Sequence, residues 1–230
     1  MHARDAGDQM PVFRVGGLTF GIVICSDSNY PEPARFMVSK GATALFIPTN
    51  AMIRLIGPGG AGKSTIGAVL AERLNLPFLD LDRHLAGRVG DISEYINRQG
   101  YDAYARENVE AYCSLFRGRI RPDVLALSSG FMTYASDIHP EYGRLRHELE
   151  ENARTFVLLP SLDREWCVAE TVRRQIARPF GRSPEREEAV IRARFEIYMS
   201  LPMRKVETMR SVAAIVDEIV EVSTFDSLQQ

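Results

Sequence analysis

The strongest chemical signal in the chain is the run Gly57-Pro-Gly59-Gly60-Ala61-Gly62-Lys63-Ser64. It fits G-x-x-x-x-G-K-[ST], a pattern whose glycines let the backbone turn its N–H groups onto phosphate oxygens. Lys63 is placed to reach the outer phosphates of ATP and Ser64 to ligate Mg²⁺, with Thr65 completing the expected nucleotide contacts. Lysine is scarce here, at Lys40, Lys63 and Lys205 alone, so its place after Gly62 is not background composition. A second signal is Asp80 and Asp82, two apart at the end of a predicted strand, Phe78 to Leu81. On a strand their side chains point to one side, toward the sheet edge where α/β folds bind ligands. One carboxylate would hold Mg²⁺ through its water and the other would orient or deprotonate an acceptor hydroxyl. The competing reading is that Asp82 caps a helix starting at Arg83. The third signal is basic: between Arg173 and Arg194 stand seven arginines against three glutamates. Within it, Arg178-Pro-Phe-Gly-Arg182-Ser-Pro184 has the Pro/Gly punctuation of a lid, and phosphoryl transfer needs cations and exclusion of water. Arg182 and Arg186 read as solvated surface.

The elements that must position these residues alternate. Met52 to Ile56 reads as a strand, and Ser64 to Leu74 as a helix with Ile66, Val69, Leu70 and Leu74 at helical spacing. Asp91 and Glu94 form a capping-box pattern opening a helix that Gly100 ends. Then follow a helix at about Asp102 to Phe116, a strand at Val124 to Leu127, a helix at Pro140 to Glu151 and a strand at Thr155 to Leu159. A strand at Val206 to Thr208 and a helix at Val212 to Val220 end the series. Such alternation predicts a doubly wound α/β fold over residues 51–230, a parallel sheet flanked by helices. Ahead of it, a hairpin from Phe13 to Ile24 broken at Gly16-Gly17, a helix at Pro31 to Ser39 and a strand at Thr43 to Ile47 predict a small β-rich appendage over residues 1–50.

Composition excludes other classes. Of 230 residues 45% are apolar and 25% charged, and no apolar run reaches the eighteen or so residues of a membrane span. Met1 to Met10 carries charge and no apolar stretch, so it is not a secretory signal, and cytoplasmic residence is expected. Cys25, Cys113 and Cys167 are odd in number, far apart and in no Cys-x-x-Cys pair, which argues against a disulfide framework and a structural zinc site, and the four histidines form no ligand-spaced cluster. A net charge of −2 speaks against a nucleic-acid partner.

From Met52 to about Val220 the chain resembles the shikimate kinases. The resemblance lies in Gly57 to Thr65, Phe78-Leu-Asp80-Leu-Asp82, Asp91-Ile-Ser-Glu-Tyr-Ile with Gly100, Ala177-Arg178-Pro-Phe180, and Arg194 to Tyr198 with Val206-Glu-Thr208. It implies a P-loop kinase with a five-stranded parallel sheet, which uses ATP and Mg²⁺ and phosphorylates a small, hydroxylated, anionic metabolite. Residue by residue, it implies that Lys63 and Ser64 hold ATP and Mg²⁺, Asp80 supports the metal and Asp82 binds the acceptor hydroxyls. It further implies that Arg178 closes over the phosphates, Arg194 binds the acceptor carboxylate and Arg210 starts an adenine-contacting loop. Two places depart from the family pattern. Gly-Glu-x-x-Phe-Arg becomes Gly100-Tyr-Asp-Ala-Tyr104-Ala105, with Arg106 one residue, about 100° around a helix, from the missing arginine. The Gly-Gly-Gly turn becomes Ser128-Ser129-Gly130, where Gly130 still lets the backbone approach a substrate and two hydroxyls are added.

The segment Gly17 to Cys25-Ser-Asp27, Tyr30 to Arg35, Gly41-Ala42 and Ile47-Pro48 is similar to the nucleophile segment of the nitrilase and amidase superfamily. That family's cysteine works with a glutamate and a lysine N-terminal to it, and no Lys or Glu precedes Cys25. The appendage is therefore read as a partial segment holding a buried cysteine, with association with a nitrilase-like chain as a further expectation. Two rivals to the kinase stand beside it: a nucleotide-binding regulatory module without acceptor chemistry, and a carbon-nitrogen hydrolase fragment using Cys25.

Overall fold

The computed structural model describes residues 12–22, 31–46, 52–117, 122–177 and 183–225, and the chain divides into two units, Met1–Ala51 and Met52–Gln230. In the smaller unit, β1 (Val12–Val15) and β2 (Leu18–Ile22) pair antiparallel across Gly16-Gly17. Both glycines have positive φ, 55° and 88°, as a two-residue hairpin turn requires. Helix α1 (Pro31–Ser39) leads to β3 (Ala44–Phe46), which pairs parallel with β2, and Met37 and Ala42 are buried. Cys25 lies outside the described residues.

The larger unit begins with β4 (Ile53–Ile56), α2 (Lys63–Leu74), β5 (Phe78–Asp80), α3 (Leu81–Val89), α4 (Ile92–Gln99) and α5 (Tyr101–Arg117). It continues with β6 (Val124–Ala126), a 3-10 turn (Phe131–Thr133), α6 (Tyr142–Glu151), β7 (Thr155–Leu159) and α7 (Arg164–Ile176). Helix α8 (Pro184–Ser200), β8 (Arg204–Glu207) and α9 (Val212–Phe225) complete it. The five strands are all parallel, in the order β5-β6-β4-β7-β8.

A strand covered on both faces reads as a near-continuous apolar run, and β7 follows this with Phe-Val-Leu-Leu after Thr155, all five residues buried. Its alternate residues feed two separate cores. Phe156 and Leu158 join Ile53, Leu55, Val124 and Val206 under Ile66 and Leu70 of α2 and Ile215 and Ile219 of α9. Val157 and Leu159 face the other way, with Ile56, Leu125 and Leu127, onto Leu85 of α3, Val109 and Tyr112 of α5, Leu145 of α6 and Phe195 of α8. At about 25 cal/mol per Å² of apolar surface, each such fully buried Leu, Ile or Phe contributes roughly 1.5–3 kcal/mol to holding the layers together. This sandwich fixes the C-terminal edge of the sheet, where the loops after β4 and β6 and the start of α3 after β5 emerge side by side. Among the described residues no helix is long and apolar enough to cross a membrane.

Candidate active site

The loop after β4 owes its course to backbone freedom. Gly57 has φ 140°, and a Cβ there would strike the Leu158 carbonyl, so only glycine lets β4 leave the sheet so close to β7. Gly62 caps α2 at φ 93° with no side-chain hydrogen bond, so the first N–H groups of that helix face the open space ahead of it. From beneath, α7 braces the loop: Arg174 Nη1 donates to the Gly60 carbonyl at 3.0 Å, and Glu170 holds Arg174 Nε at 2.6 Å. Lys63, 8% exposed, curls over the loop and donates from Nζ to the carbonyls of Gly57 at 2.8 Å and Pro58 at 2.9 Å.

The two aspartates reach the cleft by a different route from the one expected. The strand ends at Asp80, which itself caps α3 by accepting from Arg83 N at 3.2 Å. Asp82 is therefore a first-turn helix residue, neither a strand residue alternating with Asp80 nor the cap. A carboxylate at a helix start satisfies an orphan N–H group, and here Asp80 takes that role two residues early. Its other oxygen, Oδ2, accepts from Ser64 Oγ. A serine hydroxyl beside a carboxylate, at the mouth of a phosphate loop, is a pair of hard oxygen donors that fits Mg²⁺. Asp82 Oδ1 accepts from Ser128 Oγ at 2.5 Å and from the Tyr104 hydroxyl at 3.3 Å.

The far wall comes from α5, the turn after β6, and α8. Tyr101, Tyr104 and Tyr134 pack around one another with ring centroids 5.6–6.4 Å apart. Burial pushes the hydroxyl of Tyr104 up, the nearby Asp82 charge adding to it, and burial likewise raises Tyr134 well above the ordinary range. These phenols stay protonated and act as donors. Burial raises Tyr101 as well, against the pull of Arg194, whose Nη2 donates to the Tyr101 hydroxyl at 2.8 Å. Arg194 Nη1 lies 3.5 Å from Ser129 Oγ, and the Ser129 carbonyl accepts from Tyr198 at 2.7 Å. Gly130 sits under this pair. A Cβ there would collide with the Tyr101 hydroxyl and crowd Arg194, so a larger residue would displace this pair.

Together these groups line one cleft of about 980 Å³. It gathers Gly59, Gly60, Gly62, Lys63, Ser64 and Thr65 with Asp80, Asp82, Gly130 and Arg194 from the sequence-derived set. Gly57 and Ala61 support the loop from outside the lining. Arg210 is not brought there: it donates to the Glu207 carbonyl at 3.2 Å and pairs with Glu218 at 2.5 Å on the β8–α9 side. Arg178 and Arg182 lie outside the described residues. Arg186, expected as plain surface, is exposed yet lines the cleft. Ala105 is buried at 1% exposure, and Arg106 points to solvent from another face of α5. Of the two new hydroxyls only Ser129 lines the cleft, while Ser128 turns inward. Sequence reasoning passed over Tyr101, Tyr104 and Asn108. Their spacing of three and four residues along a predicted helix, a polar stripe amid apolar neighbours, was the available signal.

A profile of the shikimate kinase family matches residues 59–224. A shikimate kinase of Paracidovorax citrulli is 40% identical over 79 residues, 34% of this chain and 43% of the relative, so the match spans less than half of that protein's length. One of Thermus thermophilus is 29% identical over 197 residues, 82% of this chain and 94% of the relative. Among solved structures, a shikimate kinase from Acinetobacter baumannii in complex with shikimate superposes with a TM-score of 0.57 at 24% identity, covering 76% of this chain and 94% of that one, a likeness of fold. With the profile covering well over half of its length, the chain belongs to the shikimate kinase family.

Proposed function

We propose that the larger unit transfers the γ-phosphoryl group of ATP to a hydroxyl of a small polyhydroxylated carboxylic acid. The observation that carries this reading is the convergence, in one cleft, of a phosphate loop, the Ser64–Asp80 pair, the Asp82 carboxylate and the Arg194 guanidinium. The loop N–H groups and Lys63 would hold the phosphates, Lys63 leaving its loop carbonyls as they bind. Ser64 and Asp80 would hold Mg²⁺, which when bound neutralises phosphate charge. Asp82 would orient the acceptor hydroxyl and receive its proton as the new P–O bond forms and the bond to ADP breaks. Arg194 would bind the carboxylate, fixing which hydroxyl meets the phosphorus. Arg178 as the closing cation and Arg210 near the adenine belong to the same proposal by family resemblance.

The acceptor side favours a substrate other than a tightly held shikimate. With Ala105 buried and Arg106 turned to solvent, the cleft keeps Arg194 as the single family arginine for a carboxylate among the described residues. Losing one arm of such a clamp costs about 2–5 kcal/mol, a factor of about thirty or more in affinity. The test is ADP release across a panel of shikimate, related cyclic hydroxy acids, gluconate and neutral polyols. Turnover of a hydroxy acid, with shikimate accepted weakly, is expected. Preference for neutral polyols would remove the role of Arg194, and ATP binding without any turnover would favour the regulatory module. Residues 1–50 as a partial nitrilase-like segment, a nitrilase-like partner and cytoplasmic residence rest on sequence alone, and Cys25 lies outside the described residues.

A further inference from the structure

The proposed transfer sets the Asp82 carboxylate against the acceptor, and a carboxylate on the first turn of a helix is ordinarily able to swing. In this cleft it is held by a chain of buried groups. Ser128 Oγ lies 2.5 Å from Asp82 Oδ1, Asn108 Nδ2 lies 2.6 Å from Ser128 Oγ, and the Tyr134 hydroxyl lies 3.1 Å from Asn108 Oδ1. Asn108 is fully buried, Ser128 is 1% exposed and Tyr134 5%.

The direction of each bond follows from the first. A hydroxyl 2.5 Å from a carboxylate oxygen has its proton between the two, so the single proton of Ser128 belongs to Asp82. Ser128 then only accepts from Asn108, which must present Nδ2, and the amide oxygen is left to face Tyr134. Tyr134, kept protonated by burial, donates to it. All protons in the chain run one way and end on Asp82. The Tyr104 hydroxyl adds a second donor to the same oxygen, and among the described residues Asp82 Oδ2 carries no hydrogen bond.

We infer that Ser128, backed by Asn108 and Tyr134, is a positioning residue for phosphoryl transfer: it pins Oδ1 of Asp82 and so presents Oδ2 to the acceptor hydroxyl. The inference rests on the kinase reading of the cleft. It goes beyond the phosphate loop, the aspartates and Arg194, and it concerns side chains from α5 and the β6 turn that do not themselves line the cleft. Packing alone does not explain the chain. Apolar groups of the same volume would fill the space between α5 and β6 without desolvating three polar side chains. Ser128 also turns away from the cleft while its neighbours Leu127, Ser129 and Gly130 all line it.

The test compares Ser128→Ala in the native protein and in an Asp82→Asn background. A displaced nucleophile-orienting group costs on the order of tenfold to a hundredfold in rate, so Ser128→Ala should lower kcat about tenfold or more while leaving affinity for a non-hydrolysable ATP analogue nearly unchanged, with rates compared well below a melting temperature that falls because buried Asn108 Nδ2 loses its acceptor. In the Asp82→Asn background the same substitution should change kcat by less than about twofold, because its target has gone. Equal losses in both backgrounds would overturn the inference. An arm independent of turnover follows the Asn108 side-chain amide by NMR: Asp82→Asn should move that resonance when Ser128 is present and leave it in place in Ser128→Ala. A native protein that phosphorylates no acceptor would overturn the kinase reading, and the amide resonance would still decide for or against the chain holding Asp82.

Discussion

The two walls of the cleft are built on different principles. The wall proposed to hold phosphate is local and made of backbone: one eight-residue loop, glycines at φ 140°, 84° and 93°, and the bare start of α2. The wall proposed to hold the acceptor is made of side chains brought from β5–α3, α5, the turn after β6, and α8, across more than a hundred positions of sequence. A phosphate group is the same in every nucleotide, so a loop that binds it through N–H groups has little to vary. An acceptor is recognised by the placement of individual hydroxyls and guanidiniums, which can change one residue at a time without disturbing the sheet. The departures from the family pattern, Tyr101, Tyr104, Ala105, Ser128 and Ser129, all fall on the elements that build the second wall.

The contrast is broken most directly at Lys63. Replacing it by Ala should cut kcat by about a thousandfold or more, since it removes a preorganised cation from the moving phosphoryl group in a low-dielectric site. The fold should lose far less, as the carbonyls of Gly57 and Pro58 can turn to water once the side chain is gone. Thermal melting beside single-turnover rates makes the measurement. Substantial turnover by a folded Lys63→Ala protein would mean the phosphate wall is not the reacting end.

On the other wall Arg194→Ala should act on binding and not on the nucleotide. The KM for a carboxylate acceptor is expected to rise about thirtyfold or more, with the KM for ATP changed less than about twofold. Tyr101→Phe removes only the hydroxyl that accepts from Arg194 at 2.8 Å, so a rise of about threefold is expected, within the worth of a single hydrogen bond. If both substitutions raised the KM for ATP as strongly as that for the acceptor, the two walls would be one coupled unit and the division drawn between them would fail.

How far each wall could be read from sequence follows from the same difference. The phosphate loop, β7 at Thr155–Leu159 and the Asp91 cap of α4, whose Oδ1 takes Glu94 N at 2.8 Å, were legible because their signals are contiguous. The route of Asp82 was not. Whether β5 runs to Asp80 or to Leu81 depends on a single carboxylate choosing between cap and strand end, and period-two alternation cannot see that choice. Helix α7 escaped delineation because its buried face carries Thr171 and Gln175, polar groups turned to the phosphate loop, which interrupt the apolar period. Edge strand β8, expected at Val206 to Thr208, starts two residues earlier at Arg204: it offers one buried residue, Val206, between charged neighbours, so its bounds carry no apolar signal. The chain from Tyr134 to Asp82 contains a single bond, Ser128 to Asp82, that spans 46 positions with no common motif, so nothing short of the fold brings these residues together.

The smallest expected effect sharpens the comparison from beneath the phosphate wall. Glu170 is ionised far below its ordinary range, its carboxyl lowered from 4.5 to about 2 chiefly by hydrogen bonding to Arg173 and then to Arg174. Arg174 in turn holds the Gly60 carbonyl at 3.0 Å. Because the folded-state value is depressed, the stabilisation is fully present above about 4.5 and is lost as pH falls toward about 2. Glu170→Gln should therefore lower the melting temperature by a roughly constant amount, about 2 °C, at pH 6 to 8, a small figure because its main partner Arg173 is open to solvent, which screens the pair. The gap between native and variant should close steadily from about pH 4.5 downward, and the KM for ATP should rise no more than about twofold, since Arg174 keeps its bond to Gly60. Melting curves across that range make the measurement. A gap that widened on acidification would mean that Glu170 is stabilised in its protonated form. The ion pair would then not be what braces the loop, and Arg174 would be held by its packing against Gly60 alone.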